Sequence, residues 1–481
     1  MGEFTFIDLF AGIGGFHAAL SALGGECVFA SEIDPSAAAV YERNWGDHVR
    51  REQANSPAVH GDINLYAPEV GSPSVPKHDV LAAGFPCQPF SKSGAQMGVR
   101  DRTRGTLFHN ILRILDERRP KLIFLENVRN LAGPRHQDTW DTIITALRDL
   151  GYKVSGQPTV FSPHFLPPRL GGTPQVRDRV FILGVHVGSS ERAWAESSDE
   201  PVVPRAAVDP KWDPTMWDIE STRLPFIGNK PVLLDDHDIL DVDRYRLSET
   251  EQRWVDCWDD FVFRMLEARE GVRLPGFPLW VDDFVHEDDL VVPRKTPTWK
   301  ANFLHKNAAF YTEHQEAIDK WLVDWDDLSD FPASRRKFEW QAQDAASLRE
   351  CVMHFRPSGI RAKQATYLPA LVAITQTSII GSRMRRITPR EAARLQGLPD
   401  WFDFGDQPDA ATYKQLGNGV SVGAVYHVLR TFMLDNHHDL TPVLRDVAKA
   451  SPDSPTIAVP NNGDDAVVRS PKRRVKALVP A

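Results

Sequence analysis

Cysteine is scarce in this chain, and its scarcity excludes two classes of protein at once. Four cysteines, Cys27, Cys87, Cys257 and Cys351, are scattered through 481 residues. No two stand at the short spacing of a metal knuckle, so neither a zinc site nor a disulfide framework is expected. Few, isolated thiols suit a reducing compartment. Long apolar runs are also missing. No stretch approaches the roughly 20 residues that span a bilayer, and Met1–Phe6 carries no basic segment of the kind that opens a signal peptide. The expected location is the cytoplasm, with no membrane partner. No internal repeat is present.

Positive charge is in short supply too. Asp and Glu outnumber Lys and Arg by 65 to 56, giving a net charge of −9. Phosphate binding is mainly electrostatic, so this total weighs against a nucleic-acid partner. The distribution weakens that argument. Acids are dense around Asp235–Asp243, Asp256–Asp260 and Asp282–Asp289, whereas Arg100–Arg104, Arg383–Arg386 and Lys472–Lys476 are basic. A large protein can carry a basic cleft on an acidic body.

The first 190 residues alternate between strand and helix patterns. Phe4–Phe10, Cys27–Ser31, Asp79–Ala83, Lys121–Leu125, Val154–Phe161 and Arg179–Val187 read as strands. Phe16–Leu23, Pro35–Asn44, Thr106–Glu117 and Thr139–Leu150 read as helices. Such alternation predicts an α/β fold with a mostly parallel sheet covered on both faces. From Ser189 the character changes. Ten of the 13 tryptophans lie between Trp194 and Trp340, and the periodicity weakens, so residues 189–355 are assigned to a smaller, irregular α+β domain. A return to the first domain is expected over 356–440. There Thr388-Pro389-Arg390-Glu391 forms a capping box with proline at the first helical position, and Gly397 is a stop. Residues 441–481, poor in aromatics and rich in Pro, Ser, Asp and Asn towards the end, are expected to be a disordered tail.

Four segments carry chemistry. Asp8-Leu9-Phe10-Ala11-Gly12-Ile13-Gly14-Gly15-Phe16 makes a glycine-rich strand-to-helix turn, where backbone approaches a ligand closely. Glu32 ends the next strand, where a carboxylate can accept ribose hydroxyls, and Asp62 follows the one after. Together the three point to a nucleoside-containing cofactor. Gly84-Phe85-Pro86-Cys87-Gln88-Pro89-Phe90-Ser91 follows the Asp79–Ala83 strand. Prolines stiffen this loop at the carboxyl end of the sheet, where ligands bind in open α/β folds, so Cys87 is read as a reactive thiol. Cys27, Cys257 and Cys351 sit in apolar-periodic stretches and are read as inert. Phe124-Leu125-Glu126-Asn127-Val128 puts a part-buried glutamate at a strand end, where burial raises a carboxyl pKa. In Gln175-Val176-Arg177-Asp178-Arg179 the arginines stand at i and i+2 on a strand and point the same way, so both are expected to reach one site.

These segments occur in the order of the DNA (cytosine-5)-methyltransferase family, which the chain resembles. Two further matches follow, Arg390-Glu391-Ala392-Ala393-Arg394-Leu395-Gln396-Gly397 and Gln415-Leu416-Gly417-Asn418-Gly419-Val420; Gly419 stands where the family often has serine. The resemblance implies a Rossmann-like S-adenosylmethionine-dependent methyltransferase fold, with residues 189–355 as target-recognition region. It implies Cys87 as covalent nucleophile, Glu126 at N3 and the exocyclic amine of cytosine, and Arg177 and Arg179 orienting the base. It places Phe10, Ala11, Gly12, Gly14, Gly15, Glu32, Ile33, Asp62, Ile63, Asn418 and Val420 around S-adenosyl-L-methionine, which leaves as S-adenosyl-L-homocysteine, with no metal. Gln88, Ser91, Arg100, Arg102 and Arg104 would meet DNA from a mobile loop. The implied partner is double-stranded DNA, with the target cytosine flipped out. A prokaryotic restriction–modification setting is implied, in which an endonuclease shares the site without a stable complex and the methyltransferase acts as a monomer on nucleoid DNA. Three alternatives stay open. One is a transfer-RNA cytosine-5 methyltransferase, although that branch has a smaller recognition region and the separate RNA family's Thr-Cys dipeptide is absent. Another is a Rossmann oxidoreductase, which leaves Pro-Cys-Gln unexplained. The third is a non-enzymatic DNA-binding protein, against which the retained Cys87 and Glu126 argue.

Overall fold

The computed structural model describes residues 3–51, 56–86, 106–371 and 377–457. Its centre is an eight-stranded sheet. In chain order the strands are β1 (Phe4–Leu9), β2 (Gly25–Ser31), β3 (Val59–His60), β4 (Val80–Gly84), β5 (Leu122–Val128), β6 (Tyr152–Val154), β7 (Thr159–Phe161) and, after β8 (Gln175–Val176) outside this sheet, β9 (Arg179–His186). The spatial order is β3-β2-β1-β4-β5-β9-β6, with β7 also paired to β9. Strands β3, β2, β1, β4 and β5 run parallel. β9 is antiparallel to every neighbour. The expected α/β fold with a mostly parallel sheet is therefore present. The segment read as one strand over Val154–Phe161 is two, separated by Ser155–Pro158.

Alternation along the strands divides the core into two layers. Phe4, Phe6, Val80, Ala82, Leu122 and Phe124 face one layer, and Ile7, Leu9, Leu81, Ala83, Ile123 and Leu125 the other. The first layer is covered by α1 (Gly15–Ala22), α2 (Pro35–Trp45) and a helix from the far end of the chain, and the second by α3 (Leu107–Arg118) and α4 (Gln137–Asp149). Each fully buried Leu, Ile or Phe contributes about 1.5–3 kcal/mol, so closure of both faces fixes where the strand ends lie. Local signals agree. Asp34 caps α2 by accepting from Ser36 N (2.9 Å) and Ala37 N, with Pro35 at the first turn. Thr106 caps α3.

After α5 (Ser190–Glu196) the chain does not leave the first core at once. Val203, Trp217, Ile219, Leu224, Phe226 and Val232 are buried in it, around the short ladder of β10 (Arg223–Leu224) and β11 (Lys230–Pro231). A separate core begins at Leu247, built on α6 (Glu249–Ala268), α7 (Thr298–Glu313) and α8 (Gln315–Asp324). These pack on a six-stranded sheet of β12 (Leu279–Trp280), β13 (Lys337–Gln341), β14 (Cys351–Arg356), β15 (Gly359–Gln364), β17 (Ile379–Ile380) and β18 (Arg385–Arg386), while β16 (Leu368–Pro369) pairs with β8. The expected return to the first domain at residue 356 is corrected. That position is the last residue of β14, inside the β14–β15 hairpin, and the second sheet continues to Arg386.

The return comes at α9 (Pro389–Gln396). It starts with the expected capping box between Thr388 and Glu391 and ends on Gly397 at φ +82°. Then follow α10 (Asp409–Asn418), α11 (Val422–Asp435) and α12 (Pro442–Ala450). The last corrects the expected disordered tail from 441. Leu444, Val447 and Ala448 are buried against the first core, an apolar face hidden in a polar composition. Residues 458–481, including the basic Lys472–Lys476, lie outside the described residues.

Candidate active site

The parallel strands end along one edge of the sheet, and a cavity of about 520 Å³ opens there. That size suits a small-molecule ligand. Phe10 and Gly12 beyond β1, Ser31 to Asp34 beyond β2, Gly61 to Ile63 beyond β3, Gly84 to Pro86 beyond β4, and Glu126 to Val128 on β5 line it. Arg179 joins them because β9 runs antiparallel, so its first residue lies at the edge where the other strands finish, in register with Val128.

Glu32 organises the glycine-rich turn. Its carboxylate accepts from Gly12 N and from Asp34 N, each at 2.8 Å. Phe10 and Gly12 both adopt φ +56° and Gly14 φ +90°. A Cβ on Gly14 would lie 2.2 Å from the indole of Trp45, which itself donates to Ile13 O at 3.0 Å. Gly14 is thus required by a close approach on the side facing α2. Gly15 likewise meets Val420, whose methyl would be 2.7 Å from an added Cβ. Neither glycine lines the cavity, and nor do Ala11 and Val420. These four support the turn, while Phe10, Gly12, Glu32, Ile33, Asp62, Ile63 and Asn418 are brought together on the cavity wall. Asp62 accepts from Asn64 N at 2.9 Å. Ile33 is 70% exposed at the rim, an apolar side chain open to a ligand.

At the other end Glu126 is buried, and its Oε1 is 2.9 Å from Nε of Arg179. Burial raises the Glu126 pKa, and the guanidinium groups of Arg179 and Arg177 oppose the rise. Gly84 pairs with Glu126 across the sheet, and a Cβ on it would sit 3.6 Å from the carboxylate. Asn127 donates to Phe85 O at 2.8 Å, fixing the start of the Pro-Cys loop. Pro86 lines the cavity, and Cys87 is the next residue. Cys87 itself, together with Gln88, Ser91, Arg100, Arg102 and Arg104, lies outside the described residues. The other three cysteines are buried, and burial pushes the thiols of Cys27 and Cys351 up to about 12.

Arg177 is not brought to the cavity. The strand ladder breaks between β8 and β9, so Arg177 and Arg179 do not share the orientation that an unbroken strand would give them. The Arg177 guanidinium, 1% exposed, donates to Leu371 O (3.3 Å), Gly417 O (2.9 Å) and Gly419 O. Burial lowers its pKa to about 9. It holds the α10–α11 turn, whose Gly417 and Asn418 form part of the wall.

The sequence reading missed Ser31, Ser36, Lys414 and Gln415 on the wall. Gln415 opens the quoted Gln-Leu-Gly-Asn-Gly segment, so its signal was present; it donates to Ser36 Oγ at 3.3 Å across the cavity mouth. Asp8, the first residue of the glycine motif, is fully buried and neither carboxylate oxygen has a hydrogen-bond partner among the described residues. Burial raises its pKa well above the ordinary aspartate value. Among the described residues no helix is long and apolar enough to cross a membrane.

Comparison with known proteins agrees with this geometry. Residues 4–433 match the family model described as C-5 cytosine-specific DNA methylase. The chain is 48% identical to the Type II methyltransferase M.AluI of Cellulosimicrobium cellulans, over 89% of this chain and 91% of that protein. It is 30% identical to the Type II methyltransferase M.BanI of Aneurinibacillus aneurinilyticus, over 91% and 97% respectively. The protein with Glu126 and Arg179 at the end of this cavity belongs to the C-5 cytosine-specific DNA methylases, enzymes that methylate cytosine in DNA.

Proposed function

We propose that this enzyme transfers a methyl group from S-adenosyl-L-methionine to C5 of a cytosine flipped out of a specific duplex sequence. It would do so through a covalent bond between Cys87 and C6. The cavity fits such a donor. Glu32 and Asp62 stand where ribose and adenine would be held, Ile33 and Phe10 offer apolar surface, and the volume is that of a nucleoside-sized ligand. When bound, the donor supplies an electrophilic sulfonium methyl.

Cytosine C5 is a weak nucleophile on its own. Addition of the Cys87 thiolate to C6 breaks the ring's aromaticity and moves an electron pair onto C5, replacing one hard step by easier ones. Glu126, whose pKa burial raises, would hydrogen-bond N3 as negative charge develops there, and its second oxygen would accept from the exocyclic amine. Arg179 would orient the base from its place beside Glu126. Transfer of the C5 proton to a water molecule after methylation expels the thiolate, and return of the N3 proton to Glu126 restores the ring. The target atom lies inside a duplex, so the nucleotide must be extruded at a cost of a few kcal/mol.

The observation that carries this reading is the buried Glu126–Arg179 pair at the cavity end from which Pro86 leads to Cys87. The relatives' names support a restriction–modification setting. In this reading the enzyme acts as a cytoplasmic monomer, and any endonuclease shares only the site. Transfer of labelled methyl tests the reading. Wild type is expected to label duplex DNA rather than transfer RNA, and Cys87→Ala to label neither while still binding the donor. Labelling by Cys87→Ala at the wild-type rate would refute the nucleophile assignment.

A further inference from the structure

The second sheet is two-faced. Phe338, Trp340, Met353, Ile360 and Ala362 are buried in its own core. By strand alternation the opposite face carries Glu339 on β13, His354 and Arg356 on β14, and Arg361 and Lys363 on β15. Glu339, Arg361 and His354 stand in one cross-strand row. Arg361 is neutralised there, its Nε 2.7 Å from Glu339 Oε2. Among the described residues neither Arg356 nor Lys363 forms an ion pair. Both are half-buried, and burial together with Arg361 lowers the pKa of each. His354 is 5% exposed, shares a hydrogen bond between its Nε2 and Ser378 Oγ (2.7 Å), and among the described residues its Nδ1 has no partner. One carboxylate, Glu339, faces the three cations Arg356, Arg361 and Lys363, so positive charge is in excess there and an anion relieves it.

The cationic character continues to the cavity. Lys363 Nζ lies 4.7 Å from the centroid of the Tyr367 ring, which packs 5.4 Å from His164. His164 feels the charges of Lys363, Asp178 and Arg205 together, so these groups share one neighbourhood. Arg205 at 2.7 Å and Arg129 at 3.0 Å share the single carboxylate of Asp178, which leaves a net positive charge there. Arg129 directly follows the cavity-lining Val128. The basic run that stands out in the sequence behaves differently. Arg383, Arg385 and Arg386 are all spent on internal carboxylates, of Glu220, Glu391 and Glu251.

We propose that this strip, from Arg129 at the cavity rim to Arg356 and Lys363 on the second sheet, is where the protein holds the phosphate backbone of its DNA duplex. The inference rests on DNA as substrate. In a chain of net charge −9, duplex affinity requires local uncompensated cations, and phosphate contacts position a duplex without reading it.

The test is the salt dependence of binding for wild type, Arg356→Gln, Lys363→Gln and the charge-keeping Arg356→Lys and Lys363→Arg. Anisotropy would be measured on a target and a scrambled duplex from 50 to 200 mM salt. Each neutralising variant is expected to shallow the slope of log affinity against log salt by about 1, so that affinity falls about threefold less across that range. Both duplexes should weaken by the same factor, with the melting temperature unchanged, and the charge-keeping variants should retain the wild-type slope. An unchanged slope in both neutralising variants would overturn the proposal, as would weakening confined to the target duplex, which marks base reading. A wild type that binds no duplex DNA would overturn the substrate assignment itself.

Discussion

At the end of the cavity formed by β2 and β3, Glu32 and Asp62 are half-exposed and accept hydrogen bonds from backbone N–H groups. At the opposite end Glu126 is buried and faces the guanidinium of Arg179. The first arrangement shapes a turn and leaves carboxylate lone pairs for hydroxyl or amino donors, which is binding. The second sets burial, which raises the Glu126 pKa, against the guanidinium of Arg179, an arrangement suited to proton exchange. Removing a carboxylate should therefore act on affinity at one end and on turnover at the other.

The largest expected effect is at the buried end. Glu126→Gln keeps the shape but cannot exchange a proton, and turnover should fall about 10²–10⁴-fold, with donor affinity within about twofold of wild type. A rise in the donor's dissociation constant with unchanged turnover would erase the difference between the ends. Wild type carries a pH signature as well. Burial raises the Glu126 pKa, and the proton is lost as pH rises through that raised value, so turnover should decline on the alkaline side. Glu126→Gln should lose that limb of the profile.

Next comes Glu32→Ala, which leaves the Gly12 and Asp34 amides without their acceptor. Donor affinity should fall about tenfold, some 1.4 kcal/mol, with a smaller change in kcat. Arg177→Lys should follow. A single ammonium cannot reach the three carbonyls that the buried guanidinium now serves, so a melting temperature lowered by a few degrees is expected. The smallest effect belongs to Asp62→Asn, whose amide oxygen can still accept from Asn64 N. Isothermal titration should find donor affinity within about threefold of wild type.

How far the sequence reveals these ends also differs. The alternation of strand and helix patterns and the capping box at Thr388 announced the sheet and its helices, because each signal is local. The wall residues Phe10, Glu32, Asp62 and Glu126 were legible because they follow strands whose carboxyl ends gather in this fold. Arg177 was misjudged because a two-residue break between β8 and β9 turns it away from Arg179, and no propensity marks that break. The β14–β15 hairpin and α12 fell outside the expected boundaries because their apolar faces are short and set among charges. Arg356, Arg361 and Lys363 escaped notice for a related reason. Strand alternation spaces them out in sequence, while the compact run Arg383–Arg386 drew attention yet is internally neutralised.

The central claim, a base gripped by Glu126 while bonded to Cys87, is tested most directly with duplex DNA carrying 5-fluorocytosine at the target position. Fluorine cannot leave as a proton does, so the covalent complex should persist with bound donor, and peptide mass mapping should find the adduct on Cys87. An adduct on another residue, or its formation in Cys87→Ala, would contradict the account.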